Sequence, residues 1–281
     1  MSATYLAKPQ SGAVHHRGLI ARFVDSLQQQ GRYSFALTEL DAAAAAVSPV
    51  ARRAALRRLA AAGRVRRVTS HGDFLVIVPH EHATMGAPPV AWFLDDYMRH
   101  LGIEYYVGLL SAAEWHGAAH FAVQETQVVA ATQIRPIAIG RERVRFFVKR
   151  DAAATPVRRM SSGAASILVS SPEATLLDLL RYRDAVGGLN RIVVVLDELA
   201  PKCRAAELQA ALDAANDVPA AQRLGYLLDH AGQGKLARVV ERWLAHRPHR
   251  LRPLDPAGPA SGLHQRPWNL VINAAIERGV A

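Results

Sequence analysis

Seven arginines, Arg52, Arg53, Arg57, Arg58, Arg64, Arg66 and Arg67, lie within sixteen residues of a 281-residue chain with no acid among them. The nearest acids are Asp41 before the cluster and Asp73 after it. A guanidinium carries a planar fork of donors that matches phosphate oxygens and the O6/N7 edge of guanine. Solvated helix faces usually mix signs so that neighbours attract. A single-sign cluster opposes folding and implies that something negative sits against it. The competing reading is a solvated arginine face that serves protein contacts only.

Other residue types raise catalytic readings, and each lacks a necessary part. Of twelve histidines, His80 and His82 around Glu81, and His116 with His120, are the best metal candidates. The latter pair has the i, i+4 spacing of a zinc-binding helix, but Ala118 and Ala119 supply no acid and Gly117 interrupts the helix. "IVVVLDE" (192–198) resembles the strand and acid pair that hold magnesium beside a phosphate-binding loop. "GQGKL" (232–236) lacks the early glycine and the hydroxyl of such a loop, so Asp197 and Glu198 read as surface acids on a helix. Ser111, Glu114 and His116 share one short helix and cannot form an oriented triad, and no G-x-S-x-G elbow is present. The Gly-Ser and paired-aspartate signature of nucleotidyltransferases is also missing. Cys203, the single cysteine, excludes internal disulfides and multi-cysteine metal sites; beside Lys202 at a helix start its thiol pKa is expected to fall. No catalytic residue, metal or cofactor is assigned.

The arginines need elements that aim them. Leu19, Ile20, Phe23 and Leu27 recur at helical spacing, so a first helix is expected from His16 to Gln29, ended by Gly31. Thr38 is placed as the cap of a second helix, with Asp41 in its first turn. Ser48 and Pro49 are a cap and a first helical residue, so a third helix runs to Gly63. At 100° per residue, Ala55, Leu56, Leu59 and Ala62 share its apolar face, while Arg53, Arg57 and Arg58 project opposite and Arg52 lies nearer the apolar side. "RVRRVTSHGDFLVIVP" reads as two short strands around His71-Gly72-Asp73, with Arg64, Arg66 and Arg67 on or beside the hairpin. Three helices and a basic hairpin are the arrangement of a winged helix-turn-helix. Ser48 and the seven arginines are thus the candidate DNA-binding residues, with the capped helix start offering N–H groups to a phosphate.

Half the residues are hydrophobic and 21% are charged, as in an ordered globular protein. Residues 1–84 hold eleven Lys/Arg against five Asp/Glu, so six of the ten excess positive charges sit there. No apolar run is long enough to cross a bilayer, and "MSATYLAKPQSGAVHHRG" has no secretory-signal pattern. A cytoplasmic setting and no membrane partner are expected. "ATMGAPP" (83–89) reads as a linker, giving an N-terminal domain 1–84 and a second domain 88–281. In the second, "PVAWFLDDYMRHLG" and "EYYVGLLSAAEWHG" read as helices and residues 125–149 as antiparallel strands turning near Gly140. "SILVSSPEATLLDLLRY" reads as a strand followed by a helix that starts at Ser171-Pro172. A run of helices fills 187–246, including "GGLNRIVVVLDELAPK", and the tail is irregular. The fold class is α+β, with a helical C-terminal part.

"YYVGLLSAAEWHGAAH" (105–120), "VSSPEATLLDLLRY" with the following Gly187-Gly188, "AQRLGYLLDHAG" (221–232) and "WNLVIN" (268–273) together resemble the AbiEi family of bacterial type IV antitoxins. The resemblance implies a non-enzymatic, two-domain protein. Its N-terminal domain would bind inverted repeats of operator DNA upstream of its own operon. Its C-terminal antitoxin domain would counteract a nucleotidyltransferase-type toxin. None of the four segments carries catalytic residues, and the residues that neutralise the toxin stay unassigned. A winged-helix regulator whose second domain senses a small ligand is the alternative, and an enzyme with an accessory DNA-binding domain comes third.

Overall fold

The computed structural model describes residues 18–118, 123–163 and 165–276. His16 and His120 lie outside the described residues. The chain divides into two compact units, one of residues 1–100 with 138–142 and one of residues 101–137 with 143–281.

The first unit holds α1 (Leu19–Gln29), β1 (Ser34–Ala36), α2 (Leu37–Ala43), α3 (Pro49–Ala61), β2 (Val65–Arg67), β3 (Phe74–Ile77) and α4 (Leu94–Leu101). Its three strands form an antiparallel sheet in the order β1-β3-β2. Ile20, Val24 and Leu27 of α1 pack with Leu40, Leu56 and the inward residues Phe35, Val65, Leu75 and Ile77. Strand β1 was not expected. It is three fully buried residues without alternation, and only pairing with β3 defines it. α2 begins one residue before Thr38, because the Glu39 carboxylate accepts the Ala36 N–H at 3.1 Å; Glu39, not Asp41, is the acid of the first turn.

The stretch 83–89 lies inside this unit rather than ending it. Arg141 N–H donates to the Met85 carbonyl at 2.8 Å. Gly140 has φ 55°, and a Cβ there would stand 2.2 Å from that carbonyl oxygen, so only glycine permits the approach. α4 belongs here as well: Tyr97 and His100 pack on Phe74, Asp96 accepts from Ser34 Oγ at 2.8 Å, and His100 meets Asp73 at 3.0 Å. That bond to His100 holds the Asp73 carboxyl below its ordinary range. "PVAWFLDDYMRHLG" is thus a short turn followed by α4 rather than one helix.

The second unit begins with β4 (Tyr105–Val107), α5 (Leu109–Trp115) and β5 (Thr126–Ala130); β6 (Ile137–Ile139) falls mostly in the stretch assigned to the first unit, and β7 (Glu142–Val148) returns to the second. β8 (Val157–Ser162), β9 (Ala165–Ser170) and α6 (Pro172–Arg181) follow. Then come α7 (Gly188–Leu199), α8 (Ala205–Ala215), α9 (Val218–His230), α10 (Gly234–Ala245), β10 (Arg252–Pro253), β11 (Leu263–Gln265) and β12 (Leu270–Ile272). Its main sheet runs β7-β5-β4-β9-β8. β5 and β7 are parallel, which corrects the antiparallel expectation for 125–149. Tyr105–Val107 is a strand, not the start of a helix, and the backbone of Gly108 separates it from α5. The apolar run 192–196 is helical, as read, and inside α7 it buries Ile192, Val193, Val195 and Leu196.

Polar groups inside this unit fix how its layers meet. Lys149 Nζ lies 3.0 Å from Asp178 Oδ1, with both side chains 2% exposed, and Tyr106 donates to Asp178 Oδ2 at 2.6 Å. The pair joins the ends of β7 and β4 to α6. Gln222 of α9 donates to the carbonyls of Arg250 and Trp268, and Arg223 donates to those of Pro253 and Leu254. Burial, with Arg183 and Arg252 nearby, lowers the Arg223 pKa to about 10. A Cβ on Gly225 would stand 2.0 Å from the Trp268 ring, so a bare backbone at 225 is what seats this tryptophan. Residues 249–273 are thereby ordered on α9, and they pair as a small sheet, β10-β12-β11, instead of remaining irregular.

Removing one member of a buried ion pair strands the other. Lys149→Ala should destabilise the second unit by about 3–5 kcal/mol, whereas Lys149→Met combined with Asp178→Leu should cost far less. Chemical denaturation of both variants distinguishes these outcomes, and equal losses would show that the pair is not what matters at this junction.

Candidate nucleic-acid interface

Ser48 caps α3, accepting the Ala51 N–H at 3.3 Å, and Pro49 takes the first helical position. A cap and a proline there start the helix one turn before the first arginine. α3 buries Leu56, while Ala55 and Leu59 pack partly against the same core. After Ala61 the chain reverses and enters the hairpin, where Arg66 stands opposite Val76 and Arg67 opposite Leu75. In β2 only Val65 is buried, so both following arginines face solvent.

The structure sorts the seven arginines into three groups. Arg52 is 14% exposed; its Nε lies 2.9 Å from Asp41 and it donates to the Ala44 carbonyl at 3.0 Å, tying α3 to the end of α2. Arg64 pairs with Asp25 at 2.5 Å and reaches Gln28, tying the hairpin to α1. Arg58 borders a separate, largely apolar groove of about 800 Å³ between the start of α1 and α3, lined by Leu19, Ile20, Ala55 and Leu59. The remaining four, Arg53, Arg57, Arg66 and Arg67, converge on one groove of about 240 Å³ between α3 and the hairpin. Its floor is Leu56, Val65 and Leu75, and no acid lines it. Arg67 is also held over the turn by donating to the Gly72 carbonyl.

The sequence placed Arg58 with Arg53 and Arg57 on one exposed face. Successive residues 57 and 58 sit 100° apart, enough to send them to opposite flanks of α3. Sequence reasoning also missed Val50, which stands 70% exposed on the first turn of α3 beside these arginines. A helical projection that tracked apolar residues on the charged face would have found it. The acids that hold Arg52 and Arg64 are distant in sequence or on another helix, and only the packing reveals them.

No comparable site forms from the catalytic candidates. Ser111 is buried, accepting from Gln127 N at 2.9 Å and reaching the Glu125 carbonyl. His116 meets the Ser170 carbonyl at 2.7 Å, and its burial lowers its pKa. Burial and the nearby Glu173 push the Cys203 thiol up to about 12, which reverses the expected fall. Asp197 is exposed on α7. Among the described residues there is no cluster of three His, Cys, Asp or Glu able to hold a metal, and no helix is long and apolar enough to cross a membrane.

The fold has a known counterpart. The crystal structure of the RV2827C protein from Mycobacterium tuberculosis is similar to this chain, with a TM-score of 0.65, 19% identity and 90% of each chain covered. No curated protein matches the chain. Residues 106–230 match the family described as AbiEi antitoxin C-terminal domain. The matched stretch lies almost wholly in the second unit, which is thus similar to an AbiEi antitoxin C-terminal domain.

The sorting has a consequence for stability. Arg52→Ala and Arg64→Ala should each lower the melting temperature by several degrees, since each breaks an ion pair between elements worth about 1 kcal/mol. Arg53→Ala, Arg57→Ala and Arg66→Ala should leave it unchanged or raise it by relieving like-charge repulsion. Thermal melts of the five single variants check this division, and equal losses across them would contradict it.

Proposed function

We propose that this protein is the antitoxin of a type IV toxin–antitoxin system and that it represses its own operon through its N-terminal unit. In this reading α1, α2, α3 and the β2–β3 hairpin are a winged helix-turn-helix. α3 enters the major groove of operator DNA and the hairpin follows the flanking backbone. The observation that carries the reading is the groove lined by Arg53, Arg57, Arg66 and Arg67, with no acid among its lining residues. An anionic backbone supplies the missing charge, and the Ser48-capped end of α3 offers it N–H groups. Arg53 and Arg57 are on the helix and read guanine; Arg66 and Arg67 are on the hairpin and bind phosphate. The second unit counteracts a nucleotidyltransferase-type toxin, a role that rests on the AbiEi domain at 106–230.

Two measurements test this. Co-expression with a neighbouring nucleotidyltransferase-type gene should restore growth, and no rescue at matched expression would sink the antitoxin role for that pair. Operator affinity should fall with salt, and at about −0.9 per phosphate contact Arg66 and Arg67 together supply a slope of about −2. Replacing Arg66 and Arg67 with alanine should reduce the magnitude of that slope by about 2 and weaken binding to any duplex. An unchanged slope would remove the hairpin from the interface.

A further inference from the structure

The first turn of α3 carries an apolar side chain where a polar one would serve folding better. Val50 is 70% exposed, and among the described residues only Leu263, at 79%, is a more exposed large hydrophobic. It lies outside the apolar cluster of its unit and lines neither groove beside α3. At the second position of a helix an acid would favour both solvation and the helix dipole, and a β-branched residue has no propensity advantage. The position is not isolated. At 100° per residue, Val50, Arg53, Ala54 and Arg57 fall within an arc of about 100°, and neighbours three and four apart adjoin on a helix surface. Val50 thus sits beside cations, with Ala54 on its other side, and about one turn ahead of Arg53, the first arginine that lines the groove.

That combination of an apolar tip among uncompensated guanidiniums has a matching surface in duplex DNA. The phosphates answer the charge, and the apolar group exposed in the major groove is the C5-methyl of thymine. We propose that Val50, with Ala54 beside it, is a thymine-reading element: it packs on a thymine methyl adjacent to the guanines read by Arg53 and Arg57. This deepens the DNA-binding reading given above and rests on it. Residues near the start of a helix that docks in the major groove are the ones that reach base edges, which is where Val50 stands. The inference fixes part of the target's composition: a thymine at a set position next to G, with its methyl required.

The test uses the full-length protein and a random library of duplex DNA. Wild type should enrich a site with a thymine next to G, and replacing that thymine by uracil, which removes only the methyl, should weaken binding about fourfold, the equivalent of one buried methyl group. Val50→Ser should melt like wild type and bind the thymine and uracil duplexes equally. Sequence-specific, salt-dependent binding that ignores the methyl, or a Val50→Ser variant that still distinguishes the two duplexes, would overturn the inference and leave the DNA-binding reading standing. Failure to enrich any duplex would overturn that reading itself, and this inference with it.

Discussion

Like-charge repulsion among guanidinium groups is the constraint around which the N-terminal unit is built. Two such groups about 6 Å apart repel by roughly 0.7 kcal/mol in water and by more where solvent is thinned. The unit has few acids, and it places them between elements. Asp25 holds Arg64, Asp41 holds Arg52, and Glu39 holds Arg32 while capping α2. Each of these bonds fastens one element to another. None of these three lines the groove between α3 and the hairpin, where Asp73 at the turn acts only on Arg67, so most of the charge there is left to water, salt or a bound anion. The packing of the three helices and the charge of the groove are therefore two results of one distribution of acids.

The second unit follows a different logic. Its polar interior is satisfied internally, and those groups decide which layers meet. Asp178 lies in "SSPEATLLDLL" and Tyr106 in "YYVGLL", and the two hydrogen-bond each other across the unit. Gln222 and Gly225 lie in "AQRLGYLL" and hold Trp268 of "WNLVIN". The four segments on which the AbiEi resemblance rests are thus brought together in pairs by buried bonds and close packing. Their residues hold the layers of this unit together.

What was legible in the sequence was local. Ser48-Pro49 marks the start of α3 through cap chemistry, and Ser171-Pro172 does the same for α6. The basic hairpin around Gly72 follows from short β-branched runs about a turn. What escaped depends on partners far along the chain. β1 and β4 are three residues each and exist because β3, β5 and β9 pair with them. The parallel pairing of β5 with β7 leaves no trace in alternation, which is the same for either direction. Prolines at 88 and 89 suggested a boundary, yet α4 beyond them packs on Phe74 and closes the first unit. The assignment of Arg52 and Arg64 to the interface missed their acids for the same reason: Asp25 precedes Arg64 by 39 residues, on α1.

The central claim is that the arginines divide into those held by acids within the fold and those free to bind an anion. Nitrogen-15 spectra of the arginine Nε–H groups, recorded as duplex DNA is added to the full-length protein, observe that division directly. The account predicts that the signals of Arg53, Arg57, Arg66 and Arg67 shift on binding and lose their shifts as salt is raised, while those of Arg52 and Arg64 stay in place. Movement of Arg52 and Arg64 with the four groove arginines unaffected would contradict it.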